Sequence, residues 1–516
     1  MTSAAARIDR ISDDHGLLPA FRDFIAANRV LVLAVAGACL LSYGFALTNY
    51  SLSIDDEIAL NTDQVGAWLP QGRFSITLLK LLLGDRMPLP FATMGIALAV
   101  LIAATLLWAF AFDRSASGRL TGTSGLILFG VFFVSVPTQA YYLTFGTFNV
   151  EVSAGYVLAG LSVLLSWRWS IERRSWVNAL LAWVCALFAV GTYQPFAVVC
   201  VTGVAVALLL RMTAQPGGTR IPQRRLLREG VRCVLPTLAG AASALAVNAV
   251  LIPRDSYVGL YVGWGQSSAR SIVESLAAYV RATLTGNGFV GGHAVLWAEL
   301  AGLAVAAYFI WNAVRDREAL LPVMFLFVLL SPFAVSVALG TPMPVRTQQV
   351  LPLAFGSFWL FVPLAFGASS MIRWGGAAAA VLIVVWNAQA NTQLFMSQYL
   401  TYQYDRDRAT AIVGQLVDEG WAGDPLPIVI VGAIVPPNEP FLVRSETFGG
   451  SFFSWNGEPR AAPFMRTLGY PFLGPSPEQS SRAEEAASSM PVWPALGSVE
   501  LVDGIAVVKM GEPTAP

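Results

Sequence analysis

The sequence predicts a polytopic, all-helical membrane protein that ends in a small α/β domain, and three observations carry that prediction. Hydrophobic residues fill 55% of the 516 positions and charged ones only 12%, about half of the roughly 25% usual in soluble domains. Apolar stretches near the length a helix needs to cross a bilayer, about 20 residues, recur along residues 29–391. Beyond them the chain changes to short apolar runs separated by Pro and Gly, the pattern of a compact mixed domain.

Eleven stretches read as spans: 29–48, 89–112, 120–137, 147–166, 177–193, 195–211, 234–252, 294–313, 319–339, 348–369 and 374–391. The fifth and sixth are short and nearly contiguous, with Gly191-Thr192-Tyr193-Gln194-Pro195 between them, as half-helices or a tight hairpin would be. About 28 mostly polar residues precede the first span, which therefore reads as an uncleaved anchor following a cytoplasmic tail over 1–28. Arginine distribution sets the orientation. With the N-terminus inside, the inner pieces hold Arg7, Arg10, Arg22 and Arg29, then Arg114 and Arg119, then Arg168, Arg173 and Arg174. Arg211, Arg220, Arg224, Arg225, Arg228 and Arg232 follow, and Arg315, Arg317 and Arg373 complete the set. The outer side then carries two long loops, 49–88 and 253–293, and the domain over 392–516.

In that domain, 392–420 has helical, aromatic-rich composition, and Pro427-Ile428-Val429-Ile430-Val431 suits a buried strand. Arg482 to Ser489 reads as a helix, and Val499 to Val508 as a strand pair turning at Asp503-Gly504. With no chemical motif visible, the domain reads as a cap or acceptor-binding module. A net charge of zero gives no basic field for nucleic acid. Four cysteines, Cys39, Cys185, Cys200 and Cys233, lie in or beside apolar stretches and read as buried hydrophobes. His15 and His293 are too far apart to suggest a His-based metal site.

The chemistry concentrates on the outer face. Asp55-Asp56-Glu57 follows the first span; adjacent carboxylates raise one another's pKa above the usual value of about 4, which suits a general base. The same acids could hold a divalent cation, at Asp55 and Asp56, or simply cap the helix that follows. From Gln71 the chain reads as an interfacial helix with Arg73, Thr77 and Lys80 on one face, placed to meet a lipid phosphate or to snorkel. Arg346, in the Thr341-Pro342-Met343-Pro344-Val345-Arg346 loop, is a third phosphate candidate. Tyr141, Tyr142, Tyr193, Gln194 and Trp264 suit either an interfacial belt or stacking and hydrogen bonding to sugar. Glu151, early in the fourth span, has no evident role from sequence.

Ser-Ile-Asp-Asp-Glu after the first span, Gln71-Gly72-Arg73-Phe74 at the head of an interfacial helix, the Tyr193-Gln194 turn and the Pro-Met-Pro-Val-Arg346 loop together resemble the serotype-converting O-antigen glucosyltransferases. Those are multi-span enzymes of the GT-C glycosyltransferase class, and the likeness covers roughly residues 30–400. It implies a sugar donor linked to polyprenyl phosphate, glucose above other sugars, and an envelope glycan acceptor on the periplasmic face of the bacterial inner membrane. It also implies a flippase and a donor-synthesising enzyme as partners, and an essential acid at Asp55 or Asp56 with Glu57 beside it. The competing class is a transporter or flippase for lipid-linked glycans. That class calls for mid-span charges and similar halves, and the sequence shows few of the former and no clear repeat.

Overall fold

A computed structural model describes residues 16–62, 65–84, 89–214, 222–251, 261–316, 319–367, 369–434, 442–454 and 460–511. Parts of both predicted outer loops, His15, Arg7, Arg10, Arg220 and Arg317 lie outside the described residues. Every predicted span is met by a helix, and nine helices among the described residues are long and apolar enough to cross a membrane. The bundle begins with α1 (Leu17–Ala27) and α2 (Arg29–Thr48). After a short α3 (Asp56–Asn61) and α4 (Phe74–Leu83) come α5 (Pro90–Ser115), α6 (Ser124–Ser135), α7 (Ala140–Leu143) and α8 (Asn149–Trp167). Next are α9 (Trp176–Thr192), α10 (Phe196–Thr213), α11 (Gln223–Leu251), α12 (Ala269–Leu284), α13 (His293–Asp316), α14 (Leu320–Leu330), α15 (Ala334–Leu339) and α16 (Val350–Phe366).

The fifth and tenth predicted spans, α9 and α16, have 17 residues each and fall short of the length of the others. The fifth and sixth form the tight hairpin, turning at Tyr193-Gln194-Pro195. Local chemistry sets the helix ends. Thr123 accepts a hydrogen bond from the Leu126 amide at the start of α6, and Pro90 occupies the first turn of α5, where its missing N–H costs nothing. The bundle core is aromatic and aliphatic, with Trp108, Phe112, Phe129, Phe132 and Phe133 fully buried.

The last helix, α17 (Ser370–Asp418), differs from expectation. It runs unbroken for 49 residues, about 74 Å at 1.5 Å per residue, so the eleventh span and the predicted 392–420 helix are one rod. No helix break marks residue 391. Its second half is the spine of the C-terminal domain. Ser397 accepts from the Val443 amide, Gln398 accepts from the Gly449 amide, and Asp405 accepts from Ser451 and the Phe452 amide. A four-stranded sheet of order β2-β1-β4-β3 covers it: β1 (Leu426–Val431), β2 (Phe472–Leu473), β3 (Val499–Val502) and β4 (Ile505–Lys509). β1 runs parallel to β2 and β4, and β3 pairs antiparallel with β4 through the predicted Asp503-Gly504 turn, where both residues have positive φ. Helices α18 (Ala461–Thr467) and α19 (Pro477–Ala487) complete the domain, the latter opened by a Ser476/Gln479 capping box.

Leu52 and Ile54, from the segment after α2, belong to this domain's core with Tyr402, Phe452 and Phe464. Gln398 also donates to the Leu52 carbonyl, at 2.6 Å. The acid-bearing segment is thus clasped between the bundle and the C-terminal domain.

Candidate active site

The three adjacent acids do not act as a cluster. Asp55 has a left-handed backbone, φ 82°, a conformation Asp tolerates better than most residues. That turn sends neighbouring carboxylates to different partners. Asp56, buried, accepts from the Gly146 amide at 2.9 Å, the Thr147 amide at 3.2 Å and the Thr147 hydroxyl at 2.5 Å. Asp55 and Glu57 instead bind one guanidinium: Arg460 Nη2 lies 3.0 Å from Asp55 Oδ1, and Arg460 Nη1 lies 2.7 Å from Glu57 Oε1.

Burial pushes Asp56 up to about 7, against the pull of its three hydrogen bonds; repulsion from Asp55 is the smallest contribution. Burial, more than the mutual repulsion expected from sequence, is therefore the cause. Burial likewise pushes Glu57 up to about 7 while Arg460 pulls it down. Among the described residues no group of three or more His, Cys, Asp or Glu side chains is arranged to hold a metal ion.

Asp56 lines a cavity of about 390 Å³. Its walls come from the end of α2 and the following residues Asn49, Tyr50 and Ser51, from Pro90, Phe91, Thr93 and Met94 at the start of α5, and from Leu143, Thr144, Gly146 and Asn149. Phe91, on its rim, is 66% exposed. The polar wall atoms and the apolar, open rim suit a ligand with a polar head and a lipid tail.

The loop 145–148 links Asp56 to two of the predicted cations. Phe145 and Phe148 stack with centroids 4.8 Å apart. Arg346 sits over Phe145 at 5.9 Å, and Arg73 over Phe148 at 5.4 Å. Arg73 also faces Trp68 at 5.3 Å and Tyr193 at 4.6 Å. Gln194 donates to the Gln71 carbonyl, 2.8 Å. Gly72, at φ 77°, leaves no room for a side chain, since a Cβ there would meet Asn248 at 2.7 Å. The Gln-Gly-Arg turn and the Tyr-Gln turn, far apart in sequence, thus pack as one unit.

Lys80 departs from the headgroup-snorkelling reading. It is buried and pairs with buried Glu151 at 3.1 Å. The outward face of α4 carries Leu78, Leu81 and Leu82, all exposed, so the helix turns its cation inward and its leucines out. The turn holding Arg346 is fixed by Glu446 of the C-terminal domain, whose carboxylate accepts from the Val345 amide at 2.7 Å and the Arg346 amide at 3.0 Å.

The residues read as sugar contacts sit elsewhere. Tyr142 is buried, its hydroxyl 3.3 Å from Ser153, and Tyr141 packs edge-on against Phe448. Trp264, 44% exposed, donates to the Val337 carbonyl at 3.0 Å. Neither these three nor Tyr193 and Gln194 line the Asp56 cavity. Sequence reasoning missed the cavity's own polar residues, Asn49, Thr93, Thr144 and Asn149, along with the Thr147 ligand of Asp56. Arg460 and Glu446 were missed because nothing local distinguishes one arginine or glutamate of the C-terminal domain from another.

A helical membrane bundle with a buried carboxylate at an apolar-rimmed cavity, and arginines packed against the loop behind it, has the parts of a membrane-embedded group-transfer enzyme. The model of the glucosyl transferase GtrII family matches residues 44–364, more than half of the chain, and the protein belongs to that family. It is therefore a glycosyltransferase, in agreement with the resemblance seen in its motifs. No curated protein and no solved structure matches the chain.

Proposed function

We propose that this protein moves glucose from a polyprenyl-phosphate donor to an envelope glycan such as O-antigen, by base-assisted inverting displacement of the GT-C type. The observation that carries the proposal is Asp56: of the three adjacent acids it is the one lining a cavity with an open, apolar rim. Asp56 takes the proton of an acceptor hydroxyl as that oxygen bonds to the anomeric carbon. The bond from that carbon to the phosphate oxygen breaks, and polyprenyl phosphate leaves as the anion. Phosphate is a competent leaving group, so the need is for positive charge rather than a strong acid. Arg346, half-buried over Phe145 of the 145–148 loop, is our first choice for that role, with Arg73 behind Phe148 and Lys80 as supporting charges. Asn49, Tyr50, Thr144 and Asn149 are placed to meet sugar hydroxyls. The Tyr193-Gln194 turn serves by seating Arg73.

The cavity end of the bundle is assigned to the periplasmic side of a bacterial inner membrane, with residues 29–391 as the catalytic bundle and 392–516 as a periplasmic domain. Support comes from the opposite end, where Arg114, Arg168, Arg173, Arg211 and Arg225 gather. A flippase and a donor-synthesising enzyme would then supply the donor. The test is to extract lipid from the detergent-purified protein and to assay transfer from synthetic polyprenyl-phosphate glucose. Co-purified polyprenyl phosphate or its glucosylated form, with transfer to the host's O-antigen, is the expected result. Bulk phospholipid alone, together with no use of that donor, would overturn it.

A further inference from the structure

We infer that Arg460, from the C-terminal domain, is a positioning residue for the transfer: its guanidinium binds Asp55 and Glu57 together and turns both away, leaving Asp56 to face the cavity. This rests on the reading of Asp56 as the base. Residue 460 lies outside the family-matched segment 44–364.

Three observations converge on it. First, Arg460 reaches the carboxylates on both sides of Asp56, at 3.0 Å and 2.7 Å, while Asp56 keeps only neutral partners from residues 146 and 147. Second, the left-handed backbone of Asp55 is the turn that presents Asp55 and Glu57 to one partner. Third, the contact is one of several fastenings of α3 onto α18. Asn61 donates to the Pro463 carbonyl at 2.9 Å, and Arg466 donates to Asn61 Oδ1 at 2.9 Å. The C-terminal domain, read from sequence as a cap or acceptor-binding module, therefore holds the acid-bearing helix in place.

The charged and titratable groups about Asp56 are few. Asp55, Glu57 and Arg460 lie on one side, and Tyr50 shares the cavity. The walls from α5 and from residues 143–149 contribute Thr93, Met94, Thr144, Thr147 and Asn149, all uncharged. Removing the Arg460 charge leaves Asp55 as an uncompensated anion beside Asp56, while buried Glu57, no longer pulled down by Arg460, takes up a proton. The repulsion from Asp55 favours protonated Asp56, so transfer should fail at a higher pH than in the native enzyme.

The experiment is the pH profile of glucose transfer from polyprenyl-phosphate glucose by membranes carrying Arg460→Gln, Arg460→Lys, Asp55→Asn/Arg460→Gln and Asp56→Asn. The inference expects the acid limb of Arg460→Gln to move up by about one unit. It expects Arg460→Lys to stay near the native limb, and the double variant to return toward it. The double variant carries the test should Arg460→Gln fail to accumulate. A uniform loss of rate with an unmoved limb would reduce Arg460 to a structural contact and overturn the inference. Native transfer by Asp56→Asn would instead overturn the reading of Asp56, and the inference with it.

Discussion

The arginines of the bundle are held in different ways at its two ends. At the end away from the cavity, cations meet carboxylates directly. Arg114 forks onto Glu172 with both contacts at 2.7 Å, and Glu229 receives Arg211 at 2.7 Å and Arg225 at 2.9 Å. At the cavity end, Arg73 and Arg346 lie over the rings of Trp68, Phe145, Phe148 and Tyr193. A ring face steadies a cation by about 0.5–2 kcal/mol without cancelling its charge; a carboxylate cancels it. The far end sets its arginines against carboxylates; the cavity end sets Arg73 and Arg346 against aromatic faces, with the Glu446 charge also near Arg346. Lys80, held by Glu151, marks where the cavity end shades back into structure.

Substitutions can break or sharpen that contrast, and the largest effect belongs to the buried pair. Lys80→Met leaves Glu151 buried without its cation and should destabilise the fold by about 3–5 kcal/mol. Thermal unfolding in detergent measures it, and Lys80→Met/Glu151→Leu should recover most of the loss. Arg346→Ala should lower kcat/KM for the lipid donor about 10- to 100-fold, the worth of one or two charged contacts to phosphate, with little change in unfolding temperature. A loss confined to stability would place Arg346 with the structural arginines. A smaller effect is expected from pH. Burial holds Asp56 at about 7; a base must be ionised to act, so transfer should rise with pH through 7 and fall by roughly tenfold for each unit below it. The smallest effect is expected at the far end. Arg114→Ala removes a partly exposed pair and should cost about 1 kcal/mol or less in stability, leaving donor turnover at the native rate.

Much of this was legible in the sequence. Apolar stretches of near-bilayer length announced the spanning helices, because bilayer thickness fixes that length independently of tertiary contacts, whereas the helices Leu17–Ala27 and Ala269–Leu284 arise in stretches read as tail and loop. The acids, Arg73, Arg346 and the Tyr193-Gln194 turn were legible as residue types out of place in an apolar chain. What stayed hidden depends on long-range contacts. Nothing local ranks Asp55, Asp56 and Glu57, because what separates them is Arg460, some 400 positions away. The inward turn of Lys80 was masked because its partner, Glu151, lies on a helix read as a separate span. The tyrosines at 141 and 142 look alike to any belt or sugar-binding rule; only packing separates one against Phe448 from one beside Ser153.

Turnover of polyprenyl-phosphate glucose by Asp55→Asn, Asp56→Asn and Glu57→Gln, compared side by side at equal membrane insertion, tests the account most directly. Asp56→Asn should lose about 100-fold or more of the rate, while the other two retain measurable transfer. Native turnover by Asp56→Asn, or equal losses across all three, would contradict the assignment of a single proton-accepting carboxylate.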